Sequence, residues 1–405
     1  MKVESIIQSA EEKLKPLFRE IDDTALFNQE KVLAAFSKEQ IALRHFMQSN
    51  GYGYGDEGRD ALGRVFADTF GAERAIVSPA LLSGTHAITV ALFGVLRPGD
   101  RALIVTGTPY DTIRGVLWGE GNGSFRDFGI SFDTVELKEG KPDFPAVKKA
   151  LEERDYKMVY IQRSRGYELR DSFTVAEIEE TCAFVRECGF RGCIFCDNCY
   201  GEFAEKREPT EAGVDFMAGS LIKNPGGGLA PTGGYIAGRE EILRLVEGRL
   251  TAPSVGAEMG SYAYGYRLFY QGLFLAPHVV AQILKGGLLI GACLESLGYV
   301  TYPAANKIPA DITRAVRFDT EKRLTDFIVS VQECSPVDSF VRPEAWNMPG
   351  YDNKVIMAAG TFVSGATSEL SADAPIREPY VAYFQGGLTY EHCKIACKKI
   401  LEKLV

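Results

Sequence analysis

The feature that most constrains the fold is an alternation, between residues 60 and 250, of short apolar runs with segments of helical spacing. The runs are typical of buried strands, and they are RAIVSP, RALIVTG, KMVYIQ, GCIFCDN and GGYIAG, in chain order. Strands that alternate with helices form a mainly parallel sheet covered by helices. The sequence therefore predicts an α/β fold whose ligand binds beyond the carboxyl ends of the strands.

The segments on either side of this region have different patterns. Residues 1–45 carry apolar residues near helical spacing and predict a helical arm. After residue 255 the pattern becomes a long apolar helix through Leu297 and then a mixed α and β stretch to Val405. We therefore expect an N-terminal helical arm over 1–45, a large domain over 46–255 and a smaller α+β domain over 256–405.

Charge and hydropathy narrow the classes of partner. The formal net charge of −9 provides no attraction for nucleic acid or an anionic membrane. The N-terminal residues are amphipathic and charged, without the apolar core of a signal peptide. The longest apolar stretch, 273–297, is interrupted by Pro277, His278 and Lys285, which favours a buried helix over a membrane span. We expect a cytoplasmic protein that binds neither nucleic acid nor a membrane.

Four of the nine cysteines are closely spaced. Cys188, Cys193, Cys196 and Cys199 form a C-x4-C-x2-C-x2-C pattern, close to the plant-type iron–sulfur spacing. Because residues 193–196 form an apolar run suited to a buried strand, we expect buried free thiols and no metal.

Lys223 stands at the end of an apolar run and before a proline and three glycines, in the stretch GSLIKNPGGG. A lysine among apolar residues usually extends its ammonium to water. The glycines allow the backbone to approach a ligand closely, but both the P-loop and the dinucleotide fingerprint are absent from this stretch. The functional interpretation that remains is a lysine able to form a Schiff base.

Other candidate residues follow predicted strands. Asp197 comes directly after a buried strand, where a carboxylate either caps a helix or has a functional role. Ser83, Gly84 and Thr85 lie between a strand and a helix, so they are either an ordinary cap or a phosphate site. Tyr110 follows the next strand as a core or a stacking residue. Together these groups and Lys223 meet the needs of pyridoxal 5'-phosphate (PLP).

The order SGT, aromatic, Asp-Asn and S-x-x-K followed by glycines resembles the fold-type I PLP-dependent transferase-like enzymes. The stretches GYGYGDEGRD, DNCYGEF, SLIKNPGGGLAPTGGYIAG and ELSADAPIREPYVAYFQGGLT resemble the cysteine/methionine-metabolism lyases, and most of all their methionine γ-lyase-like or aluminium-resistance group. The similarity extends from about residue 50 to the end. It implies a mainly parallel large domain, a smaller α+β domain and a carbon–sulfur lyase acting by β- or γ-elimination on a sulfur amino acid such as cystathionine, cysteine or methionine.

The resemblance also implies roles for the cofactor-binding residues. Lys223 would bind PLP covalently, Asp197 would pair with the ring nitrogen, and Tyr110 would stack on the ring, so that all three take part in catalysis. The phosphate would be held by Ser83, Gly84, Thr85 and Ser220.

Three further roles come from the same resemblance. Tyr54 and Arg59 would reach the phosphate of a neighbouring subunit, which implies a homodimer or homotetramer with shared active sites. Arg377 would bind the carboxylate of the amino-acid substrate, and the alternative is a surface charge beside Asp373.

The chain also departs from the lyase pattern. Ile222 stands where the lyases usually have a hydroxyl residue. The lyases also have an asparagine near the hydroxyl of PLP, and Gln162 and Arg165 are the candidates for that place in this chain. His86, at a helix start, is expected to be structural. An aminotransferase, an aldolase or a PLP-binding stress protein with little turnover stay open as alternatives.

Overall fold

The computed structural model describes residues 2–348 and 353–405. The helices of these residues are α1 (Lys2–Lys38), α2 (Glu57–Thr69), α3 (Gly84–Val95), α4 (Asp111–Trp118), α5 (Phe144–Glu153), α6 (Val175–Glu187), α7 (Glu240–Leu250), α8 (Arg267–Ser296), α9 (Glu321–Glu333) and α10 (Tyr390–Leu404). The strands are β1 (Arg74–Ser78), β2 (Arg101–Ile104), β3 (Ser131–Thr134), β4 (Leu137–Lys138), β5 (Lys141–Pro142), β6 (Met158–Gln162), β7 (Cys193–Asp197), β8 (Phe216–Ser220), β9 (Gly234–Gly238), β10 (Val300–Tyr302), β11 (Thr313–Arg317), β12 (Val355–Ala358), β13 (Ser371–Pro375) and β14 (Val381–Gln385).

The main sheet has seven strands in the order β1-β9-β8-β7-β6-β2-β3. Six of these strands run in one direction, and β9, which lies between β1 and β8, runs in the opposite one. Every residue of β6, β8 and β9 is buried, as expected for strands covered by helices on both faces. All five apolar runs form strands of this sheet, which confirms the predicted mainly parallel α/β fold.

The second sheet has five antiparallel strands in the order β10-β11-β14-β13-β12. Helices α9 and α10 pack beside each other, and α9 covers β12, β13 and β14. This sheet and its helices form the smaller α+β part. The limits at residues 45 and 255 stay predictions.

Helix α1 explains the apolar pattern of the N-terminal residues. Ile7, Leu14 and Ile21 recur every seven residues and are buried, so they form one apolar stripe. The stripe faces α8, and α1 also contacts α10. Glu11 accepts hydrogen bonds from the Tyr390 hydroxyl at 2.8 Å and from Lys394 Nζ at 2.7 Å.

Helix α8 has the length and apolar composition of a membrane span, but 67% of its most apolar stretch is buried within the protein. It lies between α1 and α10, which agrees with the predicted buried helix. The cysteine-rich run forms β7, where Cys196 is fully buried, and all nine cysteines are free.

The glycines after Lys223 let their loop lie directly against α8. Gly227 has a φ of +53°, in the left-handed region that favours glycine. A Cβ on Gly227 would lie 2.2 Å from the carbonyl oxygen of Gly272, and a Cβ on Gly272 would lie 2.2 Å from that of Gly226. Contact between the two backbones therefore sets the position of the loop that begins at Lys223.

Candidate active site

A cavity of about 350 Å³ lies where the carboxyl ends of β6, β7 and β8 meet the second sheet. It contains seven of the predicted site residues: Ser83, Gly84, Thr85, Tyr110, Asp197, Ser220 and Lys223. Parallel strands place their carboxyl ends at one edge of a sheet, so residues up to 140 positions apart come together here.

Lys223 is half-buried and follows β8 by three residues. A short turn over Asn224–Gly226 begins after it, and Asn224 Nδ2 donates to the carbonyl oxygens of Tyr200 at 2.9 Å and Glu202 at 2.8 Å. The Lys223 Nζ lies 3.8 Å from the centroid of the Tyr200 ring. Burial lowers the pKa of Lys223, but the surrounding acidic groups together raise it above its ordinary value.

Asp197 ends β7 and is buried. Its Oδ1 accepts a hydrogen bond from the Cys199 backbone N–H at 3.1 Å. Residues 199–204 form turns, so Asp197 does not cap a helix. Burial raises the pKa of the Asp197 carboxyl, while Lys223 and the Cys199 N–H stabilise the charged form.

The start of α3 and the end of β8 form a concave polar surface. Ser83 is the N-cap of α3, and its hydroxyl accepts from the His86 N–H at 3.1 Å. A Cβ on Gly84 would lie 3.3 Å from Ser220 Cβ, so the two backbones approach closely. Ser220 Oγ is buried without a hydrogen-bond partner among the described residues. An orphaned hydroxyl beside a helix N-terminus fits a phosphate group.

Tyr110 stands at the start of α4, where its N–H donates to Gln162 Oε1 at 2.8 Å. Its ring meets the Tyr167 ring edge-on, with 5.8 Å between centroids. Gln162 lines the cavity, as the sequence suggested. Arg165 instead donates to the Tyr302 carbonyl oxygen at 2.6 Å and to Thr313 Oγ1 at 3.2 Å, so it joins the loop after β6 to the second sheet.

Tyr54 and Arg59 lie away from this cavity within the chain. Tyr54 is 66% exposed. Arg59 donates to the carbonyl oxygens of Gly53 at 2.9 Å and Gly260 at 3.1 Å and pairs with Asp60 at 2.8 Å. The structure of one chain therefore does not bring these two side chains to Lys223.

Arg377 is exposed and lines a separate cavity of about 210 Å³. The two cavities share Tyr110 and Tyr167 in their walls. Within the described parts of the chain, no ion pair joins Arg377 to Asp373, whose carboxylate accepts the Tyr167 hydroxyl.

Sequence reasoning missed several residues of this site. Tyr200, whose φ of +73° is unusual for a residue with a side chain, immediately follows the recognised Asp-Asn-Cys stretch. Tyr167, Asp373 and Tyr383 line the cavity from the loop after β6 and from the second sheet. Asp373 and Tyr383 lie in the stretch ELSADAPIREPYVAYFQGGLT, which carries the family resemblance, but spacing alone does not show that this stretch lines the same cavity as Lys223.

The family model for methionine gamma-lyase matches residues 3–405. The chain is 47% identical to Bacillus subtilis YnbB over 393 residues, which are 96% of this chain and 93% of that protein. Its structure superposes on a Clostridium novyi carbon–sulfur lyase involved in aluminium resistance with a TM-score of 0.95 and 44% identity, covering 100% of this chain and 96% of that one.

A Listeria monocytogenes protein, proposed to be a cystathionine beta-lyase involved in aluminium resistance, is 48% identical with a TM-score of 0.96 and coverage of 99% and 100%. The PLP-dependent Escherichia coli protein YhfS shares the fold at 17% identity, with a TM-score of 0.64 and coverage of 94% and 97%. The predicted fold-type I architecture and PLP as cofactor are confirmed by these matches and by the cavity that fits it. The chain therefore belongs to the methionine gamma-lyase family, a family of PLP-dependent carbon–sulfur lyases.

Proposed function

We propose that this protein releases a thiol from Cβ or Cγ of a sulfur-containing amino acid, with cystathionine, cysteine and methionine as candidate substrates. The observation that carries the proposal is one cavity lined by Lys223, Asp197, Ser220 and Gly84. The family membership and the lyase descriptions of the Clostridium and Listeria relatives support the same reaction class.

Each of these residues has a role in holding the cofactor. Lys223 would hold PLP covalently, Asp197 would keep a proton on its ring nitrogen, Tyr110 would stack on its ring, and the phosphate would lie between Ser220 and the start of α3. PLP, when bound, supplies an electron sink for the negative charge left at the carbon beside the substrate amine.

Lys223 also moves protons when it is not bonded to the cofactor. Its amine takes the proton from Cα and can return one to the product. The Tyr200 ring, 3.8 Å from Nζ, supports this position through a cation–π contact. Asp197 keeps a compensating negative charge nearby.

Arg377 is proposed to bind the substrate carboxylate. Support comes from the polar cavity in which it lies, which adjoins the first cavity at Tyr110 and Tyr167. A guanidinium makes a planar two-point contact with a carboxylate, which a lysine at this position cannot make.

We further propose a cytoplasmic homodimer or homotetramer in which Tyr54 and Arg59 complete the site of a neighbouring subunit. The exposed Tyr52 and Tyr54 rings, 65% and 66% accessible, support a partner surface here. Nine free cysteines support a reducing compartment.

Activity assays and peptide mapping test the function together. Incubation with a sulfur amino acid should release a thiol, ammonia and a 2-oxo acid in equal amounts, and Arg377→Ala should mainly raise KM. Borohydride reduction should leave a pyridoxyl group on Lys223, and Lys223→Ala should be inactive.

Consumption of a 2-oxo acid without release of ammonia would instead identify an aminotransferase, and release of glycine together with an aldehyde would identify an aldolase. A label on another lysine would contradict the assignment of Lys223.

A further inference from the structure

A carboxyl group and a phenol outside the set just described lie in the wall of the same cavity. Asp373 is the central residue of β13, and its neighbours across the sheet are Met357 and Tyr383. All three line the cavity. Tyr167, in the loop after β6, donates its hydroxyl to Asp373 Oδ2. The second sheet therefore places an acidic group opposite the strands that carry Lys223.

The surroundings of Asp373 leave its charge poorly compensated. Within residues 2–348 and 353–405, its carboxylate forms no ion pair, and Tyr167 is its one hydrogen-bond donor. Burial raises the pKa of Asp373 to about 6, although the Tyr167 hydrogen bond lowers it. A carboxyl with such a value can release and regain a proton near neutral pH.

The ligands that the proposed function requires would favour the protonated form of Asp373. Burial raises the pKa of the Tyr200 and Tyr383 hydroxyls. The cations nearby are Lys223 in the same cavity and Arg377 in the adjoining one. A phosphate and a substrate carboxylate would add negative charge to the same small space. Like charges disfavour a second carboxylate, so Asp373 holds its proton more firmly in the loaded site.

We propose that Asp373, together with Tyr167, donates the proton required by the departing sulfur atom. The carbon–sulfur bond breaks with its electron pair on sulfur. A proton passes to sulfur from Asp373, either directly or through the Tyr167 hydroxyl, whose own proton is replaced from Asp373. A neutral thiol leaves, and the Asp373 carboxylate regains a proton from water. This inference rests on the proposed lyase function.

The two proton transfers are assigned to residues from different sheets. Lys223 comes from the main sheet and handles the proton at Cα, whereas Asp373 comes from the second sheet and handles the proton at sulfur. A cavity of about 350 Å³ is near the lower end of ligand-site volumes, so a bound amino acid would contact both walls.

The test compares two substrates that differ in the acidity of the thiol they release. With the holoenzyme, Asp373→Asn should lower kcat for an S-alkyl-cysteine by about 10²-fold or more. For S-nitrophenyl-cysteine it should lower kcat by less than about 3-fold, because an acidic thiol leaves readily as the anion. Tyr167→Phe should show the same preference in weaker form.

A matched control comes from Asp311, a buried carboxyl whose oxygens accept hydrogen bonds from Ser172 at 2.5 Å and Thr313 at 2.9 Å. Asp311→Asn should affect the two substrates by the same factor, as a structural change does. An equal loss with both substrates in Asp373→Asn would overturn the proposed role. Failure of the wild-type enzyme to cleave either substrate would instead defeat the lyase function itself.

Infrared difference spectroscopy supplies a readout independent of turnover. The holoenzyme minus Asp373→Asn difference should contain a band of a protonated carboxylic acid that weakens between about pH 5 and about pH 8. Absence of this band at every pH would rule out Asp373 as the proton donor.

Discussion

The Asp197 carboxylate is buried and accepts a hydrogen bond from Cys199 N–H, so its charge needs a compensating proton or cation nearby. Asp197→Asn should still bind PLP, because Lys223 and the phosphate cradle are untouched, but turnover should fall by at least about 10²-fold. Absorbance of the bound cofactor and thiol release measure the two effects separately. Asp143→Asn, which alters the N-cap of α5, is the control expected to keep full activity. Normal turnover in Asp197→Asn would limit Asp197 to supporting the turn after β7.

Glu202 makes stability depend on pH. It is fully buried, its Oε1 accepts from the Tyr235 hydroxyl at 2.8 Å, and burial raises its pKa from 4.5 to about 8. Between these values the folded protein binds a proton that the unfolded chain has lost, so the free energy of unfolding falls as pH rises.

Glu202→Gln should remove this dependence. As pH rises from about 5 to about 8, the free energy of unfolding of the wild type should fall, relative to that of the variant, by on the order of 2 kcal/mol. Urea unfolding at both pH values measures this difference. If the stabilities of the two proteins depended on pH in the same way, Glu202 would be charged throughout this range.

The residues of the site differ in how readily their position can be predicted from the sequence. Asp197 and Lys223 stand at the ends of apolar runs, which drew attention to them in the sequence, whereas the role of Ser220 came only from the family resemblance. Asp373 and Tyr383 lie inside strands of a different sheet, among residues that are all buried. Their contact with the site depends on how the two sheets pack, which local patterns do not encode.

At the scale of elements, the contact between α8 and the loop after Lys223 requires glycine on both sides. Gly272→Ala would place a Cβ 2.2 Å from the carbonyl oxygen of Gly226. The loop or the helix must then shift, and we expect a loss of roughly 1–3 kcal/mol of stability together with weaker PLP binding. Thermal unfolding and PLP titration measure the two effects.

Gly287 provides the control on the same helix. A Cβ there would meet only Arg314 Nε, at 4.0 Å. Gly287→Ala should therefore be neutral or stabilise the protein by up to about 1 kcal/mol, because alanine favours helix over glycine. If both substitutions had the same effect, the close approach at Gly272 would not control the loop.

The elements themselves were predictable where burial on both faces produces continuous apolar runs, as in β6 and β9, although the equally buried β8 was not among the predicted strands. The N-terminal helix was recognised from its spacing, but its packing on α8 was not, since an amphipathic stripe does not identify its partner. The strands of the second sheet were not predicted individually, although β13 and β14 are almost entirely buried, because their short runs contain polar residues such as Asp373 and Gln385.

At the scale of the whole molecule, the proposed shared sites predict complementation between inactive chains. Lys223→Ala lacks the covalent anchor, and Tyr54→Ala would lack the group offered to a neighbour. Mixed oligomers should recover part of the wild-type activity, because some sites then receive both intact residues. Activity after co-refolding of the two variants, compared with each variant alone, measures this. A monomeric protein, or mixed oligomers without recovered activity, would contradict the shared site.

The packing of α1 has a consequence for synthesis on the ribosome. Its apolar stripe is buried against α8, and its Glu11 binds Tyr390 and Lys394 of α10, which follows α1 by about 350 residues. At the usual rate of translation, α8 begins to emerge roughly 10–50 s after α1, and α10 roughly 20–70 s after it. Until α8 has emerged, α1 exposes an apolar surface without its native cover. Helix α1 is thus completed by segments that are synthesised much later, and chaperones that shield amphipathic helices can bind it in that interval.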